Sequence, residues 1–232
     1  MTLLNGKNVV VTGATGALGS AVVASLLSRG AECWVPMVES SPPVHLAWRG
    51  DARVHAQGGV QLDDEAVVSA YYAGVPALWA SVHLVGGFAM NGVAETSLDE
   101  LRAQWSLNAV TCFLCSREAV KSMRKTGEGG RIVNVTSRAS VSSAPGMLSY
   151  TMAKAAVTSL TRSLAAELVA DGILVNAVSP SLIDSPANRT SMPNADFATW
   201  PKAEAIAEAI AFLIGPSNTL TSGAIVPVHG RA

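Results

Sequence analysis

The sequence predicts an α/β fold: a parallel β-sheet with helices on both faces. Three observations carry that prediction. Short apolar or β-branched runs alternate with longer amphipathic stretches along all 232 residues. A glycine-rich turn, Thr12-Gly13-Ala14-Thr15-Gly16-Ala17-Leu18-Gly19, directly follows the first such run. No internal repeat or low-complexity tract breaks the alternation.

Taken in order, residues 9–11 read as a strand, the glycine turn follows, and a helix runs over about 18–28 before Gly30 closes it. Residues 33–35 resume as a strand. The same short theme returns at 78–85, 132–135, 173–178 and 224–228, with helical patterns near 64–72, 98–125, 151–170 and 201–214 between. The stretch 36–60, with three prolines, Gly50, Gly58 and Gly59, yields no clear element. Ser97-Leu98-Asp99-Glu100 reads as a capping box opening a long helix. Pro201 suits the first turn of the last helix, and Gly215-Pro216 marks its end. One domain over 1–232 is expected, with a looser substrate loop at 185–200.

Composition narrows the function classes. The chain is 49% hydrophobic and 14% charged, against a usual charged share of about 25%. So sparse a polar coat predicts a second buried face in an oligomer. Net charge is −1 and no Lys/Arg block occurs, so nothing points to nucleic acid. No apolar run approaches the roughly 20 residues of a membrane helix, and the first seven residues lack a signal-peptide pattern. Three cysteines cannot all pair with one another, which fits a reduced, cytoplasmic setting.

Two groups of residues carry chemistry. Glycines at a strand-to-helix turn let backbone approach a pyrophosphate, while the helix N-terminus offers free N–H donors and a positive dipole end. Further on, Tyr150 and Lys154 stand one helical turn apart and share a face, with Ser137 upstream at the end of a strand-like run. A cation near a phenol is expected to lower its pKa from about 10 and make it a usable proton donor and acceptor. A serine hydroxyl beside it can orient a carbonyl oxygen.

With Asn108, Ser137, Tyr150-x-x-x-Lys154 and Asn176-Ala177-Val178-Ser179-Pro180 in order after the glycine turn, the chain resembles the short-chain dehydrogenase/reductase superfamily over essentially its whole length. The resemblance implies a Rossmann-type doubly wound parallel sheet of seven strands, a nicotinamide cofactor (NAD or NADP) and a homodimer or homotetramer. It implies catalytic roles for four residues. Tyr150 exchanges a proton with the substrate oxygen. Lys154 lowers the Tyr150 pKa and holds the nicotinamide ribose. Ser137 polarises the carbonyl, and Asn108 kinks its helix and holds a relay water. For the cofactor it implies Gly13, Thr15, Gly16, Ala17, Leu18 and Gly19 at the phosphates, Met37 at the end of the second strand, and Gly86 after the fourth. Pro180, Ile183 and Ser185 fall at the carboxamide end, together with Tyr150 and Lys154 at the ribose.

The sequence departs from the family's commonest pattern in its adenine half. Ala17 stands where a glycine is usual, Met37 where NAD users carry an acid, Val60 where an adenine-contacting Asp is common, and His83-Leu84-Val85-Gly86 replaces the usual N-N-A-G. The nearest acid is Glu39, which would repel a 2′-phosphate and tilts the expectation toward NAD. At the other end Ser181 replaces the usual glycine. Gly16-Ala17-Leu18-Gly19-Ser20, Pro145-Gly146-Met147, Met152-Ala153-Lys154 and the 188–197 stretch with Trp200 are similar to dihydropteridine reductases. Those enzymes as a group lack the serine, so Ser137 favours a carbonyl/alcohol oxidoreductase acting on a small-molecule substrate. A pteridine-type reductase and a non-catalytic dinucleotide-binding sensor remain the alternatives.

Other features earn plainer readings. Cys112-x-x-Cys115 lies mid-helix without further ligands, so buried thiols are expected and no metal. His83 reads as a packed core histidine. On the Tyr150 helix, Val157, Leu160, Leu164 and Leu168 are expected to face the sheet. Met152, Ala156, Ser159, Ser163 and Ala166 form a smooth second face, which predicts a dimer through the 98–125 and 151–170 helices.

Overall fold

The computed structural model describes residues 3–231. Its seven strands are β1 (Asn8–Thr12), β2 (Glu32–Pro36), β3 (Val54–Gln57), β4 (Leu78–His83), β5 (Gly130–Val135), β6 (Ile173–Pro180) and β7 (Ile225–Val228). They form one sheet in the order β3-β2-β1-β4-β5-β6-β7, every neighbouring pair parallel. The chain therefore leaves β1 toward one edge, returns through β4, and proceeds toward the other. In such sheets the crevice outside the carboxyl ends, where the order reverses, is where ligands bind.

Strand alternation sends side chains into two cores. Val9 and Val11 pack with α1 (Ala17–Leu27) and α7 (Ala203–Ile214) on one face. Val10 packs on the other with α2 (Glu65–Ala73), α4 (Thr111–Thr126) and α5 (Leu148–Glu167). A strand buried on both sides reads as a continuous apolar run, which is why Val9-Val10-Val11 was so legible.

β3 is the strand that residue patterning does not locate. It lies at the sheet edge with Val54 and His55 half-buried and Ala56 and Gln57 exposed, so no apolar period marks it. Pairing and stacking hold it instead: the His55 ring sits 4.3 Å from that of Trp34, and its Nε2 lies 2.9 Å from the Glu32 carboxylate.

The long helix expected over 98–125 is interrupted. α3 (Leu98–Trp105) passes into α4 through one π turn, Ser106–Val110, which carries Asn108. Such a turn re-aims side chains within an otherwise continuous helix. Three further expectations are corrected. α7 begins at Ala203, so Pro201 precedes its cap, Lys202, because the Pro201 carbonyl accepts from the Asp184 amide at 3.0 Å. The 185–200 loop contains α6 (Pro186–Ser191) and a 3-10 turn at Phe197–Thr199, capped by Ser185 and Asp196 respectively. Leu160 does not face the sheet: with Trp105, Ala109, Val110, Phe113, Ala156 and Val157 it lines an apolar groove between α4 and α5.

Candidate active site

The site assembles where the strand order reverses. The Thr12 hydroxyl, at the end of β1, accepts a hydrogen bond from the Leu84 amide just past β4 at 3.1 Å. Gly13 follows with φ +66°, and a β-carbon there would lie 3.0 Å from the backbone of Leu84 and Val85. Only glycine allows that left-handed conformation and close approach at no cost. Gly19, in the first turn of α1, packs against the same corner; a β-carbon would fall 2.1 Å from the Gly13 carbonyl oxygen.

Gly16 differs from both. A β-carbon there would meet nothing nearer than the Gly13 oxygen at 3.5 Å, so protein packing does not require its bareness. Gly16 caps α1 without any side-chain hydrogen bond, and no acidic residue lies in the first turn. The first-turn amides of Ala17, Leu18 and Gly19 thus form an uncapped positive helix end beside an open backbone. Such a cradle fits the pyrophosphate of a dinucleotide.

Toward the adenine side the expected residues divide. Met37 turns into the core, and its amide and carbonyl are taken by Gln57 and Val60. It therefore offers the cofactor no side chain, because strand pairing with β3 fixes its direction. Glu39, two residues on, takes the outward place and accepts a hydrogen bond from the Thr15 hydroxyl at 3.2 Å. Val60 is buried; Asp63 accepts from Ser106 at 3.1 Å, and Asp64 caps α2.

At the centre, the Ser137 hydroxyl stands beside the Tyr150 phenol and acts on its ionisation. Ser137 ends the extension of β5 and caps a short 3-10 turn, while Tyr150 sits in the first turn of α5, so two elements bring them together. Lys154 is buried, donates to the Val135 carbonyl at 3.0 Å, and lies 6.0 Å from the centre of the Tyr150 ring. Burial lowers the Lys154 pKa to about 8, with the nearby Cys112 thiol opposing. Burial also raises the Tyr150 pKa, and the hydrogen bond from Ser137 works against it. The expected lowering of Tyr150 by the cation is not what this arrangement gives: desolvation by burial dominates.

Asn108 is held from three sides. Its Nδ2 donates to the Gly87 carbonyl at 3.1 Å and the Gln104 carbonyl at 3.0 Å, and its Oδ1 accepts from the Gly87 amide at 3.3 Å. Gly86 makes room for this packing, since a β-carbon there would lie 2.7 Å from Asn108 Oδ1 and 3.0 Å from Lys154 Nζ. Its bareness thus serves the Asn108–Lys154 corner.

After Pro180, which ends β6, the Ile183 carbonyl accepts from Asn188 Nδ2 at 2.8 Å, and the Ser185 hydroxyl accepts from the Asn188 amide at 3.2 Å. Asp184 pairs with Arg189 at 2.6 Å. These three contacts anchor α6 beside the crevice.

Sequence reasoning missed one wall of the site. Phe88 follows Gly86-Gly87, and its ring stands edge-on to that of Tyr150, centres 5.1 Å apart. It is 55% exposed, and nearby Met90 is 58% exposed. An aromatic residue just past a glycine pair at a strand's carboxyl end was the available signal. His83, Cys112 and Cys115 are buried as expected, and no metal-ligand cluster occurs among the described residues.

The profile of the short chain dehydrogenases matches residues 7–196. This chain belongs to the short chain dehydrogenase family. It is 32% identical over 237 residues to the cis-4-hydroxycyclohexanecarboxylate dehydrogenase of Sinomonas cyclohexanicum, covering 95% of this chain and 94% of that one. It is 28% identical over 256 residues to an NADPH-dependent aldehyde reductase-like chloroplastic protein of Arabidopsis thaliana, covering 98% and 94%. A solved short chain dehydrogenase/reductase family protein superposes with a TM-score of 0.87 at 27% identity, covering 98% and 97%. As a member of this short-chain family the protein is an NAD(P)-dependent oxidoreductase with a Rossmann-like sheet. No helix among the described residues is long and apolar enough to cross a membrane.

Proposed function

We propose that this short-chain oxidoreductase interconverts a small carbonyl compound and its secondary alcohol, with Ser137 and Tyr150 at the reacting oxygen. The observation that carries the reading is the Ser137–Tyr150 hydroxyl pair, with buried Lys154 on the same helix face. The nicotinamide dinucleotide supplies the hydride in reduction and takes it up in oxidation. Ser137 donates a hydrogen bond to the carbonyl oxygen, and Tyr150 gives that oxygen its phenolic proton. A phenol pKa pushed up by burial keeps this proton in place across neutral pH. Asn108, pinned in the π turn, fixes the Gly86–Gly87 backbone beside Lys154.

For the dinucleotide, the glycine turn and the α1 terminus are the proposed phosphate cradle. Lys154 is the proposed ribose contact, and Pro180, Ile183 and Ser185 would border the carboxamide. We favour NAD, because the Glu39 carboxylate at Thr15 would repel a 2′-phosphate. The wall formed by Phe88 and Met90 favours an apolar carbon skeleton beside the carbonyl. The alicyclic hydroxy acid named for the Sinomonas relative has such a skeleton. Ser137 beside the Tyr150 phenol favours a carbonyl over a quinonoid pterin. The 1–232 single-domain reading draws on the one sheet running from β3 to β7. A second copy of the chain is the proposed occupant of the α4–α5 groove, where Trp105 and Phe113 are exposed.

Titration of NADH and NADPH by fluorescence, followed by turnover on a panel of cyclic ketones and their alcohols, tests the reading. Binding of NADH with turnover of a cyclic ketone is expected. Failure of both nucleotides to bind would defeat it.

A further inference from the structure

Glu100 does not complete the capping box that its sequence position suggests. Ser97 caps α3 as expected, accepting from the Glu100 amide at 3.1 Å. The carboxylate turns away from that helix end. One oxygen accepts from the side-chain amide of Asn91, and the other from the Ser149 hydroxyl at 3.1 Å. Ser149 adjoins Tyr150, and Asn91 lies three residues beyond Phe88.

The same junction is tied through backbone. The Asn91 amide donates to the Gly146 carbonyl at 2.9 Å, and Asn91 pairs in parallel with Met147. Met90 packs on Gly146, where a β-carbon would fall 3.1 Å from its side chain. α5, in contrast, has no side-chain cap of its own: Met147 at its N-cap contributes no side-chain hydrogen bond. Glu100 thus places a carboxylate at an otherwise uncapped helix start, where the dipole favours it.

We propose that Glu100 is a positioning residue that clamps the Phe88–Asn91 segment to the first turn of α5 and so fixes Tyr150 and Phe88 relative to each other. This inference rests on the proposed role of Tyr150. Three elements meet at one carboxylate: α3, which carries it, the segment after β4, and the catalytic helix. Removing it frees both the acid and the wall against which substrate would lie. Misplacement by about 1 Å can cost roughly a hundredfold in rate.

The test compares Glu100→Ala with Glu100→Gln. A glutamine can bond both partners if the Asn91 amide turns over, so it should keep the clamp, whereas alanine cannot. For Glu100→Ala, kcat on a ketone substrate should fall about ten- to a hundredfold, with the NADH dissociation constant within about twofold of the parent. Glu100→Gln should restore kcat to within about threefold. Hydrogen exchange provides a readout independent of turnover. Amides of 88–96 should exchange at least about tenfold faster in Glu100→Ala, with those of β4 unchanged. If the parent binds no nucleotide, the proposed function fails while the exchange result still reads the clamp. Unchanged exchange at 88–96, kcat within about twofold in Glu100→Ala, or equal loss in both variants would overturn the inference.

Discussion

Lys154 Nζ donates to the carbonyl oxygen of Val135 at 3.0 Å, two residues before Ser137, so the lysine of α5 is bonded to the strand that carries the serine. The bond gathers Ser137, Tyr150 and Lys154 around one strand end. Burial is the largest influence on the Tyr150 pKa there, and it raises it.

Replacing Tyr150 by Phe removes the proposed proton donor and keeps the ring against Phe88. Turnover should fall about 10²–10⁴-fold, the range for loss of a general acid. The dissociation constant for NADH, read by fluorescence, should stay within about threefold. Near-normal ketone reduction by this variant would refute the proton-transfer role.

Nucleotide binding should weaken as pH rises through the Lys154 titration. Burial brings its pKa to about 8, so the ammonium is present below that value and lost above it. NADH affinity measured from pH 7 to pH 9.5 should decline, and a flat profile would show that the ammonium does not hold the cofactor.

His83 should make the fold acid-sensitive. It is buried against Ser81 and Asn134, each at 2.8 Å, and burial lowers its pKa from 6.5 to about 4. Between those values the unfolded chain binds the proton more readily, so stability falls as pH drops from about 6.5 toward 4. The full effect is about 3.5 kcal/mol at roughly 1.4 kcal/mol per pKa unit. Urea midpoints at pH 7 and pH 4.5 should differ more in the parent than in His83→Gln, whose side chain does not titrate.

Glu39→Gln should relax the nucleotide preference. The Thr15 hydroxyl can still donate to the amide oxygen, so the turn is preserved while the charge goes. NADPH affinity should rise about tenfold and NADH affinity change little, by competitive titration. No gain for NADPH would place the discrimination elsewhere.

Ala156→Asp would put a charge into the α4–α5 groove beside Trp105 and Phe113. Light scattering should then report a monomer for the variant and the proposed dimer or tetramer for the parent, since an unpaired buried charge is expensive at an apolar interface.

The sequence by itself determined the parts set by local pattern. Buried central strands wrote themselves as apolar runs, α1 was bounded by its glycines, and Ser137, Tyr150 and Lys154 could be read from their order and spacing. Tertiary structure decided whatever depended on a partner distant in sequence. β3 exists because Trp34 and Glu32 receive His55, and no periodicity within 54–57 announces it. Met37 faces the core because β3 pairs beside it, which hands the outward place to Glu39. Glu100 reads as a local cap in sequence, yet its carboxylate is claimed by Asn91 and Ser149, nine and 49 residues away. A side chain's hydrogen-bonding capacity is fixed by its type, but which groups satisfy it is settled only when the chain has brought them within reach.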